Sequence, residues 1–219
     1  MSVSIPKTIA ENMSIISKLS SSLNRKDEVP NQELAQQIIK SNDEKAIKEL
    51  VENLSGKNSK IQSDCIKVLY EIGEHKAALI AGYDKEFLAL LENKNNRLVW
   101  GAMTALDCIT SINPKGIYKN LAKILTAADK GSVITKDHGV NILIKLAADK
   151  DFTNNSLSLL LDQLKTCATN QLPMYAENAT TVITDKYKKE FIKVLTSRLA
   201  DIEKESKQKR VRKAIKKLS

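Results

Sequence analysis

Aromatic residues are scarce in this chain of 219 residues: five Tyr, three Phe and a single Trp, 4% in all. Glycine (seven) and proline (four) are few as well. An all-β chain needs a turn roughly every 8–12 residues, built largely from those residue types, so the shortage excludes that class. The three cysteines, Cys65, Cys108 and Cys167, form no C-x-x-C pair, which excludes a zinc ribbon and a thioredoxin-like redox motif. Only two histidines occur, His75 and His138, and there is no HExxH, no GxSxG and no glycine-rich phosphate loop. The expectation is no catalytic residue, no metal site and no cofactor. No stretch approaches the ~18 consecutive apolar residues of a membrane span. The first residues, MSVSIPKTIAENMSII, lack the basic start and apolar core of a secretory signal. These absences predict a soluble, cytoplasmic, reduced protein for which a membrane is not the expected partner.

What is present is a chain 42% hydrophobic, too apolar for disorder, and long enough to bury a sizeable core. Its apolar pattern repeats. Ile61–Gly73, IQSDCIKVLYEIG, aligns 37 residues later with Leu98–Thr110, LVWGAMTALDCIT, and 37 later again with Thr135–Ala147, TKDHGVNILIKLA. The apolar positions coincide as Ile66/Met103/Val140, Leu69/Leu106/Leu143 and Ile72/Ile109/Leu146, with small Cys65/Ala102/Gly139 one turn before. A looser fourth copy, AENATTVITDK, places Val182 or Ile183 on the same face, and VRKAIKKLS brings Ile215 for a fifth.

A second stretch with apolar spacings of three and four precedes each copy: AIKELVENL, DKEFLALLEN, YKNLAKILTAA, SLSLLLDQLK and EFIKVLTSRLADI. Between them stand helix punctuators. Gly56 suits a left-handed helix end, Asn113-Pro114 a stop followed by a start, and the stretches Ser41–Glu44 and Asp149–Asp151 offer capping oxygens. The repeated unit is helix–turn–helix. A lone hairpin of this kind cannot cover its apolar face, so the copies must stack. Residues 1–42 predict two capping helices, one around Pro6–Leu23 with Ile9, Met13, Ile16 and Leu19, the other after Pro30 with Leu34, Ile38 and Ile39, joined by a loop over Ser20–Val29.

The spacing and the small-x-x-x-Leu-x-x-Ile pattern, carried by Cys65, Leu69 and Ile72 and by Ala102, Leu106 and Ile109, resemble HEAT repeats, an armadillo-like α-solenoid family. The likeness covers roughly residues 43–219. It implies an all-α superhelix of four to five helical hairpins, read as one continuous domain with 1–42 as its cap, and says little about activity. The repeats, the missing catalytic set and a stripe around Arg97 and Trp100 lead to the expectation of a scaffold that holds a protein partner on its concave face. One departure matters: the family's usual basic residue is Gln62 in the first copy and Val99 in the second, with Lys136 only in the third.

Two features carry functional expectations. Arg97, Trp100, Thr104 and Asp107 share one face of the second copy's helix, and in HEAT-like solenoids that helix lines the concave surface. His138 and Tyr175, 38 and 75 residues after Trp100, extend an aromatic and basic line for a partner. Helical-repeat alkylpurine DNA glycosylases are also compact and basic, but the likeness is one of architecture and size, since Thr104 stands where their catalytic Asp would fall.

The other feature is the end of the chain. The formal charge of +9 is confined to residues 186–219, with 13 Lys/Arg against four acids, while the first 185 residues are neutral. KQKRVRKAIKKLS reads as an amphipathic helix with Val211, Ile215 and Leu218 on one side. Lys207, Lys209, Arg210, Arg212, Lys213, Lys216 and Lys217 would serve either as a solvated face or as a contact for nucleic-acid phosphates.

Overall fold

The computed structural model describes residues 14–219. Those residues are all-helical, with twelve α-helices and no strand among them. The chain divides after Ile112 into two compact units.

The first unit holds α1 (Val29–Ser41), α2 (Glu44–Glu52), α3 (Ser59–Lys76), α4 (Asp84–Leu90) and α5 (Asn96–Ile109). Helices α1, α3 and α5 pack in a row, with α2 against α3 and α4 against α5. The expected boundary residues do their work. Asp43 caps α2 by accepting the Ala46 N–H at 3.0 Å, and Pro30 sits in the first turn of α1, where its missing N–H costs nothing. The left-handed residue that ends α1 is Asn42 (φ 52°, ψ 44°), the next-best side chain after glycine for that conformation. Gly56, by contrast, is extended (φ −64°, ψ 176°) after a 3-10 turn over Asn53–Ser55. His75, expected in a turn, lies exposed in the last turn of α3, which runs on to Lys76.

The capping helix expected around Pro6–Leu23 is corrected in its described part. Ile9 and Met13 lie outside the described residues; from Ser14 the chain makes only a 3-10 turn, Ile15–Lys18, followed by turns. The reason is local competition for backbone groups. The Ser20 N–H donates to Asn31 Oδ1 at 2.9 Å and the Ser21 N–H to Asp64 Oδ2 at 2.8 Å, so neither is free for a helical ladder. Leu19 is still fully buried.

The second unit holds α6 (Pro114–Lys119), α7 (Leu121–Lys130), α8 (Val133–Ala147), α9 (Thr153–Thr166), α10 (Leu172–Ala179), α11 (Asp185–Arg198) and α12 (Glu205–Leu218). Helices α8, α10 and α12 are neighbours in one layer, and α7, α9 and α11 pack against them. Asn113 caps α6 through the Gly116 N–H at 3.0 Å, with Pro114 at the first position. Asp149 holds a turn instead of capping α9, accepting the Asp151 N–H at 3.0 Å.

The fourth repeat copy is also corrected. Its helix is α10, Leu172–Ala179, which ends before Val182 and Ile183. Pro173 opens it and Leu172, Tyr175, Ala176 and Ala179 fill the core, so its apolar set precedes the one sought by periodicity. The core of each unit is largely aliphatic around one fully buried phenylalanine, Phe87 in the first and Phe191 in the second. Leu50, Leu69 and Leu106 in the first and Leu143, Leu160 and Leu195 in the second are fully buried. Truncating any one to Ala costs about 2–5 kcal/mol.

Candidate functional site

In the first unit the candidate face is set by how α5 lies along α3. A Cβ on Gly101 would run into the Ile66 side chain, and one on Gly73 would come within 3.1 Å of Cys108 Cβ. Both contacts pair residues 35 apart in sequence, so the two helices run parallel and in register. Glycine is what permits that closeness at 101, while at 73 an added Cβ would be tight against Cys108. The starts of the helices are therefore side by side, and the Asn95 amide donates to Ser63 Oγ across them at 3.4 Å.

Those two starts are copies of one another. In Lys57-Asn58-Ser59-Lys60 and Lys94-Asn95-Asn96-Arg97 the asparagine is the N-cap, with φ −92°, ψ 105° in the first and φ −85°, ψ 106° in the second. Asn58 Oδ1 accepts the Lys60 N–H at 3.0 Å, and Asn95 Oδ1 accepts the Arg97 N–H at 3.0 Å. All four cations are exposed, and among the described residues none has a salt-bridge partner. Lys57, Lys60 and Lys94 escaped the reading of the sequence because the copies were aligned on apolar positions. The 37-residue spacing of these linker cations was the available signal.

One turn below Arg97, Trp100 is half-buried. After it the helix sinks, and residues 101–107 are all buried. Thr104 and Asp107, expected on an accessible polar stripe, are 8% and 6% exposed, and the Thr104 hydroxyl donates to the Trp100 carbonyl at 3.0 Å. The accessible part of that face thus comes down to Arg97 and Trp100. On α3, Lys67 bridges Glu28 at 2.9 Å and Glu71 at 2.6 Å and lies 4.7 Å from the Tyr70 ring centre. Burial alone would lower its pKa, but hydrogen bonds to Glu71, Tyr70 and Glu28 outweigh that and raise it, so Lys67 is a fixed cation of the fold. Burial pushes the α3 Cys65 thiol up to about 12, which makes it a packing residue and not a nucleophile.

In the second unit, His138 is half-buried on α8. Tyr175 is 2% exposed and points its hydroxyl at Asp137 Oδ1, 2.5 Å away, beside the Gln171 amide at 3.4 Å from the same oxygen. It is a buried anchor between α8 and α10. Among the described residues, no group of three or more His, Cys, Asp or Glu side chains is arranged to hold a metal.

Helix α12 divides the seven cations singled out at the end of the chain. Lys207 donates to Asn170 Oδ1, Arg210 makes a two-pronged contact with Glu177 at 2.8 and 2.5 Å, and Lys217 donates to Thr180 Oγ1 at 3.1 Å. These three pin α12 to α10 and its preceding and following loops, around buried Val211 and Ala214. Lys209, Arg212, Lys213 and Lys216 form the opposite, exposed side. Lys209 pairs with Glu205 at 2.9 Å and Arg212 reaches Gln208 at 3.4 Å.

No family model matches the sequence, and no curated protein is similar enough to it to match. Solved structures do share its architecture. A computationally designed armadillo repeat protein for modular peptide recognition matches with a TM-score of 0.68 at 15% identity, over 94% of this chain and 98% of that one. The fold is of the armadillo/HEAT repeat type. A second designed armadillo repeat protein, in complex with the peptide (KR)4, gives a TM-score of 0.66 at 16% identity over 86% of this chain and 87% of that one. An archaeal HEAT-like repeats protein from Thermococcus onnurineus NA1 gives 0.50 at 11% identity, over 88% and 97%. At these identities the likeness establishes the repeat fold and leaves function to the side chains.

Proposed function

We propose that this armadillo/HEAT-type protein is a non-catalytic binding scaffold that holds a protein partner on the α3–α5 face of its first unit. The observation that carries the reading is Trp100, the chain's one tryptophan, left half-exposed beside exposed Arg97 on a helix whose residues 101–107 are all buried. Tryptophan and arginine are the residues most often found at the energetic centre of protein interfaces. The designed armadillo relatives in fold bind or are built to recognise peptides, which supports a partner of that class. The test is a pull-down with Trp100→Ala and Arg97→Glu variants of native-like circular dichroism. At least a tenfold loss of partner is expected; undiminished capture of every partner by both variants would sink the reading.

A second reading rests on the exposed side of α12. Lys209, Arg212, Lys213 and Lys216 present four cations over about 10 Å of helix, which suits phosphates. DNA and RNA binding across a salt series, by the native chain and by Lys213→Glu/Lys216→Glu, decides it. No binding at low salt, or none lost in the variant, rejects it.

A further inference from the structure

We propose that the partner segment received by the first unit is an extended acidic peptide that crosses the starts of α3 and α5; the proposal rests on the scaffold reading and names the chemistry of its ligand. The case begins with duplication. A cation before the Asn cap and another two residues after it occur twice, as Lys57/Lys60 and Lys94/Arg97, with matching cap dihedrals and matching 3.0 Å cap hydrogen bonds. Parallel register, fixed by the Gly101–Ile66 and Gly73–Cys108 contacts, sets the two pairs side by side. The nearest fixed carboxylate on α3, Asp64, is spent on the Ser21 N–H and the Asn31 amide at 2.8 Å each. The four cations therefore face solvent without internal neutralisation.

The equivalent start in the second unit, Gly131-Ser132-Val133-Ile134, has no cation and exposes Val133 and Ile134 instead. The duplicated pair is thus a property of the first unit and not a requirement of helix capping, which the Asn58 and Asn95 side-chain oxygens meet without help from lysine.

The dimensions favour a strand-like peptide lying across the helices. Packed helices lie about 8–10 Å apart, and an extended chain advances about 3.3 Å per residue, so carboxylates roughly three residues apart meet successive cation pairs. Trp100, one turn below Arg97, offers an apolar patch for a side chain between them. Base stacking on a single-stranded nucleic acid would want successive aromatic platforms, and this face has one. The sign of charge is the reverse of that expected for a receptor of a (KR)4-like peptide.

The experiment uses the full chain and reads Trp100 emission directly, because no other tryptophan contributes. The probes are peptides of about twelve residues with Glu at every third position, the same peptide with Gln or with Lys, and a single-stranded oligothymidylate of comparable length. Saturable binding of the Glu peptide is expected, weakening with added salt, at least tenfold weaker for the Gln peptide and absent for the Lys peptide. Lys60→Glu/Arg97→Glu and, as a milder second variant, Lys57→Gln/Lys94→Gln should each lower affinity at least tenfold and threefold respectively, with unchanged circular dichroism. Equal binding of the Glu and Gln peptides, no binding of any peptide, preference for the oligothymidylate, or indifference to both variants overturns the proposal. A charge-blind peptide that still shifts Trp100 emission overturns it while leaving the scaffold reading intact; the pull-down with Trp100→Ala addresses that reading separately.

Discussion

Tyr175 donates its hydroxyl to Asp137 at 2.5 Å from a site only 2% exposed to solvent, joining α10 to α8 through one part-buried hydrogen bond. Tyr175→Phe keeps the ring and leaves the carboxylate without that donor, so a loss of about 1–3 kcal/mol is expected in urea unfolding.

The same pair predicts a pH dependence. Burial first, and then the hydrogen bond to Asp137 and its charge, raise the Tyr175 pKa above the ordinary value of 10.0. The unfolded chain then loses the phenolic proton before the folded one does. The stabilisation is complete below pH 10 and declines as pH rises beyond it. Unfolding followed from pH 8 upward should show a shallower alkaline decline in Tyr175→Phe than in the native protein; parallel curves would refute this origin.

Arg198 closes α9. Its Nη1 donates to the carbonyls of Leu164 at 2.9 Å and Lys165 at 2.7 Å, its Nη2 to Cys167 at 3.0 Å, and its Nε to Asp201 at 2.8 Å. Carbonyls that end a helix lack intrahelical partners, and the guanidinium fork supplies three at once. Arg198→Ala should cost about 2–3 kcal/mol, and Arg198→Lys should recover less than half, measured by chemical denaturation.

Gly101 gives a prediction opposite to helix propensity. Alanine is favoured over glycine by about 0.8–1.0 kcal/mol within a helix, yet a methyl group here meets Ile66. Gly101→Ala is expected to destabilise by about 1–3 kcal/mol. Adding Ile66→Ala removes the colliding atoms, so the double variant should be less destabilised than the two single losses combined, which a double-mutant cycle measures.

The Arg210–Glu177 contact is half-exposed, with side chains 48% and 37% accessible. Arg210 holds the Glu177 pKa below its ordinary 4.5, so the stabilisation is present above that pH and fades as the pH falls below it. Solvent screening limits the whole contribution to about 0.5–1 kcal/mol. Arg210→Gln should cost that much at pH 7 and nothing near pH 2, and high salt should shrink the difference.

Helix content and order were legible because burial writes its own period: Cys65-x-x-x-Leu69-x-x-Ile72 and Ala102-x-x-x-Leu106-x-x-Ile109 are core on one side and lie where the spacing put them. Depth was not legible. Thr104 and Asp107 sit on the polar flank of α5 by angle, but the amount of neighbouring structure laid over a flank is not encoded in its own residues. Tyr175 failed to register as an anchor for a related reason: its partner Asp137 is 38 residues away, on another helix. The short α10 was hidden by Pro173, which looks like a break and acts as a start. The cations at the end of the chain were visible, whereas their division into docking and solvent-facing sets depends on Asn170, Glu177 and Thr180, none of which is in α12.

The contact between Gly101 and Ile66 also carries information about order. At the position 37 residues before Gly101 stands Asp64, which meets its neighbour α1 through the Asn31 amide instead of through a bare backbone. Two junctions built on the same periodic plan thus use incompatible keys, a hydrogen-bonded carboxylate at one and an absent side chain at the other. Helices that look interchangeable in their apolar spacing are not interchangeable as neighbours. Pairing out of sequence would bring a carboxylate against isoleucine or leave an amide unmet, so modules that share one apolar spacing still differ in which neighbour they accept.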